Sequence, residues 1–334
     1  MTEGVKVAVR SITRREALAL TLSAAAGVRS VRAEGRLSER PLRMVVPYSP
    51  GASTDTVARL VARHMGDYLK QSIVVENRSG AGGTIGTGEV ARSAADGSTI
   101  LLGNLSTLVL SKFLFRNLNY AVDRDLVPLG HIAYIPNILV VNRDVPATNL
   151  RELIAYLKAS PGRYSFGSAG QGTIMHLSGE LFQRLAGVEM IHVPYRGTQP
   201  ALQDLIAGNI MMMFDNVPGT IGLIQSNTIR PVGVSTDVRV PALPGVPTIA
   251  EAGLSEFINK SWFAVCTRAG IPATARAELE SAALYAVNHP ETKARLTDLG
   301  AIPAPMNGSD TEKLLKSESD YWEPFVKSLN ITLD

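Results

Sequence analysis

The stretch R-M-V-V-P-Y-S-P-G-A-S-T-D, Arg43 to Asp55, running into a helical pattern from Thr54 to Lys70, decides the fold. Arg43 to Pro47 is a short run of apolar and β-branched residues, as in a buried strand. Pro50 to Asp55 is a Gly/Ser/Thr turn. Beyond it Val57, Leu60, Val61, Met65, Tyr68 and Leu69 recur at helical spacing, with Arg59, Arg63, Asp67 and Lys70 mostly opposite, so one helix face packs on a sheet. Strand, tight loop and helix make the first half of a crossover unit. Further strands are predicted at Ser72 to Glu76, Ser98 to Gly103 and Ile138 to Asn142. The reading is an α/β protein with mainly parallel sheets flanked by helices, and ligands belong outside the carboxyl ends of the strands.

Three more loops share the character of the first: S-G-A-G-G-T (Ser79 to Thr84), G-S-A-G-Q-G-T (Gly167 to Thr173) and Y-R-G-T-Q-P (Tyr195 to Pro200). Each precedes a helical pattern, so each offers unpaired backbone N–H donors and the positive end of a helix dipole. Singly they are ordinary capped helices with glycine for tight turns. Together, on the ligand-facing edge, they suit a carboxylate held by charge-assisted hydrogen bonds of about 1.5 to 3 kcal/mol each.

The chain has 334 residues, too many for one minimal domain. V-N-R-D-V-P-A-T-N-L-R-E-L (Val141 to Leu153) echoes C-T-R-A-G-I-P-A-T-A-R-A-E-L (Cys266 to Leu279). Read as the two passages between lobes, these segments divide the chain into a first lobe of residues 35–142 plus 263–334 and an inserted lobe of 143–262. Read as common strand-to-helix turns, they divide nothing.

With 45% apolar and 19% charged residues, a sizeable core is available. The net charge of +3 comes from the start of the chain: residues 1–33 hold six of the 33 Lys/Arg and two of the 30 Asp/Glu, leaving 27 against 28. No nucleic-acid footprint follows. Arg14 and Arg15, the apolar run Ala17 to Val28 and the exit V-R-A at Val31 to Ala33 read as a twin-arginine-like signal peptide cleaved near Ala33. Export to the periplasm is expected. The single cysteine, Cys266, allows no intrachain disulfide and reads as a buried strand residue.

Enzyme chemistry leaves no trace. There is no G-x-S-x-G elbow, H-E-x-x-H, C-x-x-C or P-loop, and Gly86, Gly88 and Ala91 match G-x-G-x-x-A inside a helix. His64, His131, His176, His192 and His289 are scattered without ligand spacing, so no metal and no cofactor are expected. His176 and the run Met211 to Met213 stand near the loops, the first as a helix-side or pocket residue, the second as a buried strand ending at the cleft.

The segments P-Y-S-P-G-A-S-T-D, V-V-E-N-R-S-G-A-G-G-T-I-G-T, A-D-G-S-T-I-L-L-G, F-G-S-A-G-Q-G-T-I-M-H-L-S-G-E-L-F, V-P-Y-R-G-T-Q-P-A-L-Q-D-L-I-A-G and V-P-T-I-A-E-A-G-L, in this order, resemble the substrate-binding proteins of tripartite tricarboxylate transporters, the Bug-type receptors. The resemblance covers the chain from about Pro41 onward. It implies a type II periplasmic-binding-protein fold with a crossover hinge, a di- or tricarboxylate, acidic amino acid or aromatic acid as ligand, and membrane permease subunits as partners of a monomeric receptor. Carried over by motif, Ser53, Thr54, Asp55, Gly83 and Thr84 line the first rim, and Ser168, Gly172 and Thr173 face them. Arg196 and Gly197 of P-Y-R-G and Asp215 of M-F-D-N are further additions. Arg196 is open to three roles: ligand clamp, lobe-closing partner or solvated side chain. Ala52 replaces a common glycine and Ser98 a common aromatic, which leaves the contacts of the first loop open. A sensor partner of a membrane signalling protein and an exported enzyme on a carboxylate are the rival functions.

Overall fold

Two mixed sheets share one strand. The structure, a computed structural model, describes Leu37 and residues 40–333, so the leader lies outside the described residues. Among these, no helix is long and apolar enough to cross a membrane.

The first sheet grows from the crossover units read above. β1 (Leu42–Val46) is followed by α1 (Ser53–Leu69), β2 (Ile73–Asn77), α2 (Thr84–Ala91) and β3 (Thr99–Asn104). β1 pairs in parallel with both β2 and β3. A π-helical turn, Ser106–Leu110, then leads through two one-turn helices, Ser111–Leu114 and Val122–Asp125, to β4 (Leu126–Asn142). β4 is far longer than its predicted piece, Ile138 to Asn142. Pro128, Gly130 and Pro136 interrupt the apolar pattern, and the pairing absorbs them through bulges near Pro128/Gly130 and His131/Ala133.

β4 enters the second sheet without a break. Leu126 to Pro136 pair with β9 (Lys260–Arg268), whereas Asn137 to Val141 pair with β7 (Met212–Asn216) and Ile138 to Asn142 with β8 (Ile229–Val234). The change of sheet thus falls at Pro136/Asn137, ahead of the V-N-R-D-V-P echo, which is the turn into α3 (Leu150–Lys158). The second echo is likewise the turn from β9 into α7 (Ala273–Asn288). Both echoes mark strand-to-helix turns, because a Pro, a Thr and a helix start serve that purpose in any lobe.

The second sheet repeats the plan of the first. β5 (Ser165–Ser168), α4 (Ile174–Ala186), β6 (Ile191–Pro194), α5 (Thr198–Ala207), β7 and α6 (Val217–Gln225) follow in order, with β5 parallel to β6 and β7. The chain returns through β9, which fills the gap between β3 and β4 antiparallel to both. α7, α8 (Pro290–Asp298), β10 (Ile302–Asn307) on β4, and α9 (Gly308–Ser328) follow. The flanks are parallel and the shared centre antiparallel, so the architecture is the expected two-lobe α/β fold. One apolar core runs from Leu101 and Leu108 through Trp262 and Phe257 to Phe166 and Phe182, tying the lobes together. Cys266 is buried within it, and burial pushes its thiol up to about 12.

Candidate functional site

All four Gly/Ser/Thr loops leave the carboxyl ends of parallel strands, and the two pairs meet. The first loop is braced from below by Asp55, in the first turn of α1. Burial alone would raise this carboxyl, but the Arg59 guanidinium, the Gly51 N–H and the Asn77 amide hold it below its ordinary value. Gly51 donates to Oδ2 at 2.9 Å and Asn77 to Oδ1 at 3.0 Å, so Asp55 is committed to shaping the loop. Ser53 turns the other way: its Oγ accepts from Asn216 Nδ2 at 2.8 Å, and Asn216 Oδ1 accepts from Asn137 Nδ2 at 2.7 Å. A chain of polar side chains therefore crosses from one lobe to the other. Thr54 is buried beside them.

The second loop winds through Gly80, Ala81, Gly82 and Gly83, all at positive φ. At Gly82 and Gly83 the glycine is required by space as well: a Cβ would lie 2.6 Å from Gln171 O of the opposing loop and 2.6 Å from Thr107 Cγ2. Tyr48 ties the loop to the first by donating its hydroxyl to Gly82 O at 3.2 Å. Thr84 donates to Ala81 O at 2.8 Å, closing its own turn.

In the third loop the hydroxyls are largely satisfied locally. Thr173 Oγ1 donates to Gly170 O at 2.8 Å and caps α4 by accepting from the His176 N–H. Ser168 Oγ lies 2.7 Å from His192 Nε2, and burial lowers that imidazole to about 3. Gly172, at φ +76°, donates its N–H to His176 Nδ1. The α4 N-terminus reaches across the seam, where the Ile174 N–H donates to Ser106 Oγ at 2.9 Å.

The fourth loop makes the tightest approach. Gly197 is buried, and a Cβ on it would stand 2.3 Å from Ser49 Oγ of the first loop. Gln199 Nε2 donates to Gly51 O at 2.9 Å. Arg196 is exposed at the rim of a cavity of about 290 Å³ bounded by Gly82, Gly170, Gln171 and Tyr195. Asp215, at the end of β7, has no exposure; burial pushes it up to about 7 against the single N–H donated by Asn216.

Several buried polar atoms along the seam make no hydrogen bond among the described residues: Ser49 Oγ, Thr198 Oγ1, Asn137 Oδ1 and Asp215 Oδ2. Buried polar groups are nearly always paired, and each one left alone costs about 1 to 3 kcal/mol. Such a concentration along one seam leaves donors and acceptors that a polar group could satisfy. Ser53, Gly83, Thr173 and Gly197 sit on this seam, whereas Asp55 and Thr84 are turned into their own loops. Ser49, Thr198, Gln199 and Asn216 fall inside motifs quoted from the sequence without being named as site residues, and Asn137 was not singled out at all. The polar pairs P-N at 136–137 and D-N at 215–216, interrupting apolar strands, were the available signal.

The description "Tripartite tricarboxylate transporter family receptor" matches the chain over residues 57–331. The chain is similar to Protein BugT of Bordetella pertussis (strain Tohama I), with 34% identity covering 97% of the chain and 99% of BugT. It is also similar to the solved periplasmic binding protein BugD, with 32% identity, 88% and 99% of the two chains covered and a TM-score of 0.85. R. palustris Rpa4515, solved with adipate, gives 34% identity, coverage of 88% and 98%, and a TM-score of 0.85. On the strength of motifs, topology and these matches, the chain belongs to the tripartite tricarboxylate transporter receptor family, as a Bug-type binding receptor rather than an enzyme.

Proposed function

We propose that this receptor closes its two lobes on a small carboxylate and presents the closed form to the membrane permease subunits of a tripartite tricarboxylate transporter. The observation that carries the reading is the polar seam: glycine-lined loops from both sheets meet over unpaired buried hydroxyl and amide groups. In this reading the first lobe comprises the strands paired with β1, β3 and β9, the second those paired with β7 and β5, and the hinge lies where β4 changes sheet. The backbone amide of Gly197, with the hydroxyls of Ser49, Ser53 and Thr198, forms the anion cradle; Gly83 and Gly172, whose N–H groups serve Gly80 O and His176 Nδ1, let the loops approach, and Ser168 and Thr173 hold the opposing loop in shape. The adipate bound by Rpa4515 makes linear dicarboxylates the first ligands to test. The receptor acts as a monomer in the periplasm, after removal of the leader near Ala33.

The test is isothermal titration of the mature protein with adipate, malate, citrate, glutamate and benzoate, read alongside thermal shift. A ligand at 100 times its dissociation constant stabilises by about 2.7 kcal/mol. Stoichiometric binding weakened in Ser49→Ala and Thr198→Val supports the assignment. Binding by neither this panel nor other organic acids would refute it.

A further inference from the structure

The five histidines are far apart in sequence, yet folding brings two of them together on the outer side of the first lobe, away from the seam. His64 lies on α1, and His289 caps α8, whose first turn carries Glu291. The two imidazoles stack with centroids 3.9 Å apart. A ligating atom from each of the three side chains lies within 4.8 Å of the others.

From this cluster we infer a divalent transition-metal site, with Zn²⁺ the ion its donors fit, formed by His64, His289 and Glu291. Two imidazoles and one carboxylate, with a fourth position left to water, are a donor set that Zn²⁺ commonly takes. The independent observation is the state of the ring nitrogens. His64 is 2% exposed, and its Nε2, like the buried His289 Nδ1, makes no hydrogen bond among the described residues. Glu291 Oε2 faces His64 Nε2 at 3.5 Å, beyond a good hydrogen bond but suited to two atoms sharing an ion.

The surroundings supply outer partners for two of the ligands. Arg63 donates to Glu291 Oε1 at 2.8 Å, leaving Oε2 turned toward the histidines. Asp67 Oδ2 lies 3.5 Å from His64 Nδ1, on the side of the ring opposite Glu291. Coordination requires the stacked rings to splay so that their in-plane lone pairs converge. His289, half-buried at a helix N-terminus, is the ring with room to turn. The ion would clasp the middle of α1, whose first residue is Ser53, to the α7–α8 corner, adding a cross-link behind the cradle.

The experiment uses the untagged chain, stripped with EDTA and titrated with Zn²⁺ against a chromophoric chelator. Co²⁺ serves as a spectroscopic substitute, and melting is followed with and without metal. One Zn²⁺ per chain, a raised melting temperature and a visible Co²⁺ spectrum of low coordination number are expected. His289→Ala, at a half-buried position, and Glu291→Gln, at an exposed one, should each lower affinity by at least about tenfold. Absence of saturable binding overturns the assignment, and so does unchanged affinity in either variant, because His176 and His192 or adventitious groups would then hold the ion.

Discussion

Replacing Asp215 by Asn is expected to change how the stability of the receptor depends on pH. In the fold this carboxyl is fully buried with one N–H donor, and burial carries its titration from the ordinary 3.8 to about 7. A carboxyl titrating higher in the folded than in the unfolded chain binds its proton more tightly when folded. Its stabilising effect is therefore complete below about pH 4 and is lost as pH rises through 7. At 1.36 kcal/mol per pH unit, the span is worth up to roughly 4 kcal/mol. His131 and His192 act in the opposite sense: burial lowers them to about 4 and about 3, so their contribution is present above 6.5 and disappears as the solution is acidified. The quantity to read is thus the difference between wild type and Asp215→Asn in urea unfolding from pH 4 to 8. Asparagine keeps an acceptor for the Asn216 N–H but buries an extra N–H₂, which gives a constant offset. Superimposed on that offset, the variant should gain relative to wild type as pH rises from 4 to about 7, then level off. A difference curve flat across this range would refute the claim that Asp215 is buried without a compensating partner.

Gly197→Ala should weaken carboxylate binding about tenfold or more while each lobe still folds. Its new Cβ meets Ser49 Oγ at 2.3 Å just where the loops close, and overpacking of this kind costs about 1 to 3 kcal/mol; titration calorimetry reads the change, and unaltered affinity would separate this contact from closure. Cys266, with its thiol pushed up to about 12, should resist a disulfide reagent at pH 8 until urea unfolds the chain; rapid labelling of the native protein would contradict its burial. His131→Phe should flatten the acid side of the stability profile between pH 6.5 and 4, and a profile unchanged by the substitution would place the acid sensitivity elsewhere.

The crossover units were legible because their signals are local. Val45 and Val46 in a short apolar run, followed by a Gly/Ser/Thr turn and a 3.6-residue repeat, need no knowledge of the rest of the chain, and the strands fall within a residue of their predicted bounds. The first half of β4 was not legible. Pro128, Gly130, His131 and Pro136 read as breakers, and only the bulged pairing with β9 and β10 makes them a strand. The site divides in the same way. Glycine-rich loops announce themselves in sequence, whereas the Asn137–Asn216–Ser53 chain exists only because two sheets bring together residues distant in the chain. Asp55 shows what local reading leaves out: its place in a conspicuous motif suggests a ligand contact, and the fold gives its oxygens to Gly51, Arg59 and Asn77.

The position of β9 has a consequence for how the protein is made. Because this strand fills the slot between β3 and β4, the N-terminal half of the polypeptide leaves the ribosome with a hole in its main sheet. Nothing can plug it until every residue of the intervening lobe has been translated. Contacts so remote in sequence form slowly, so the first sheet stays open between β3 and β4 until the last third of the chain has been made.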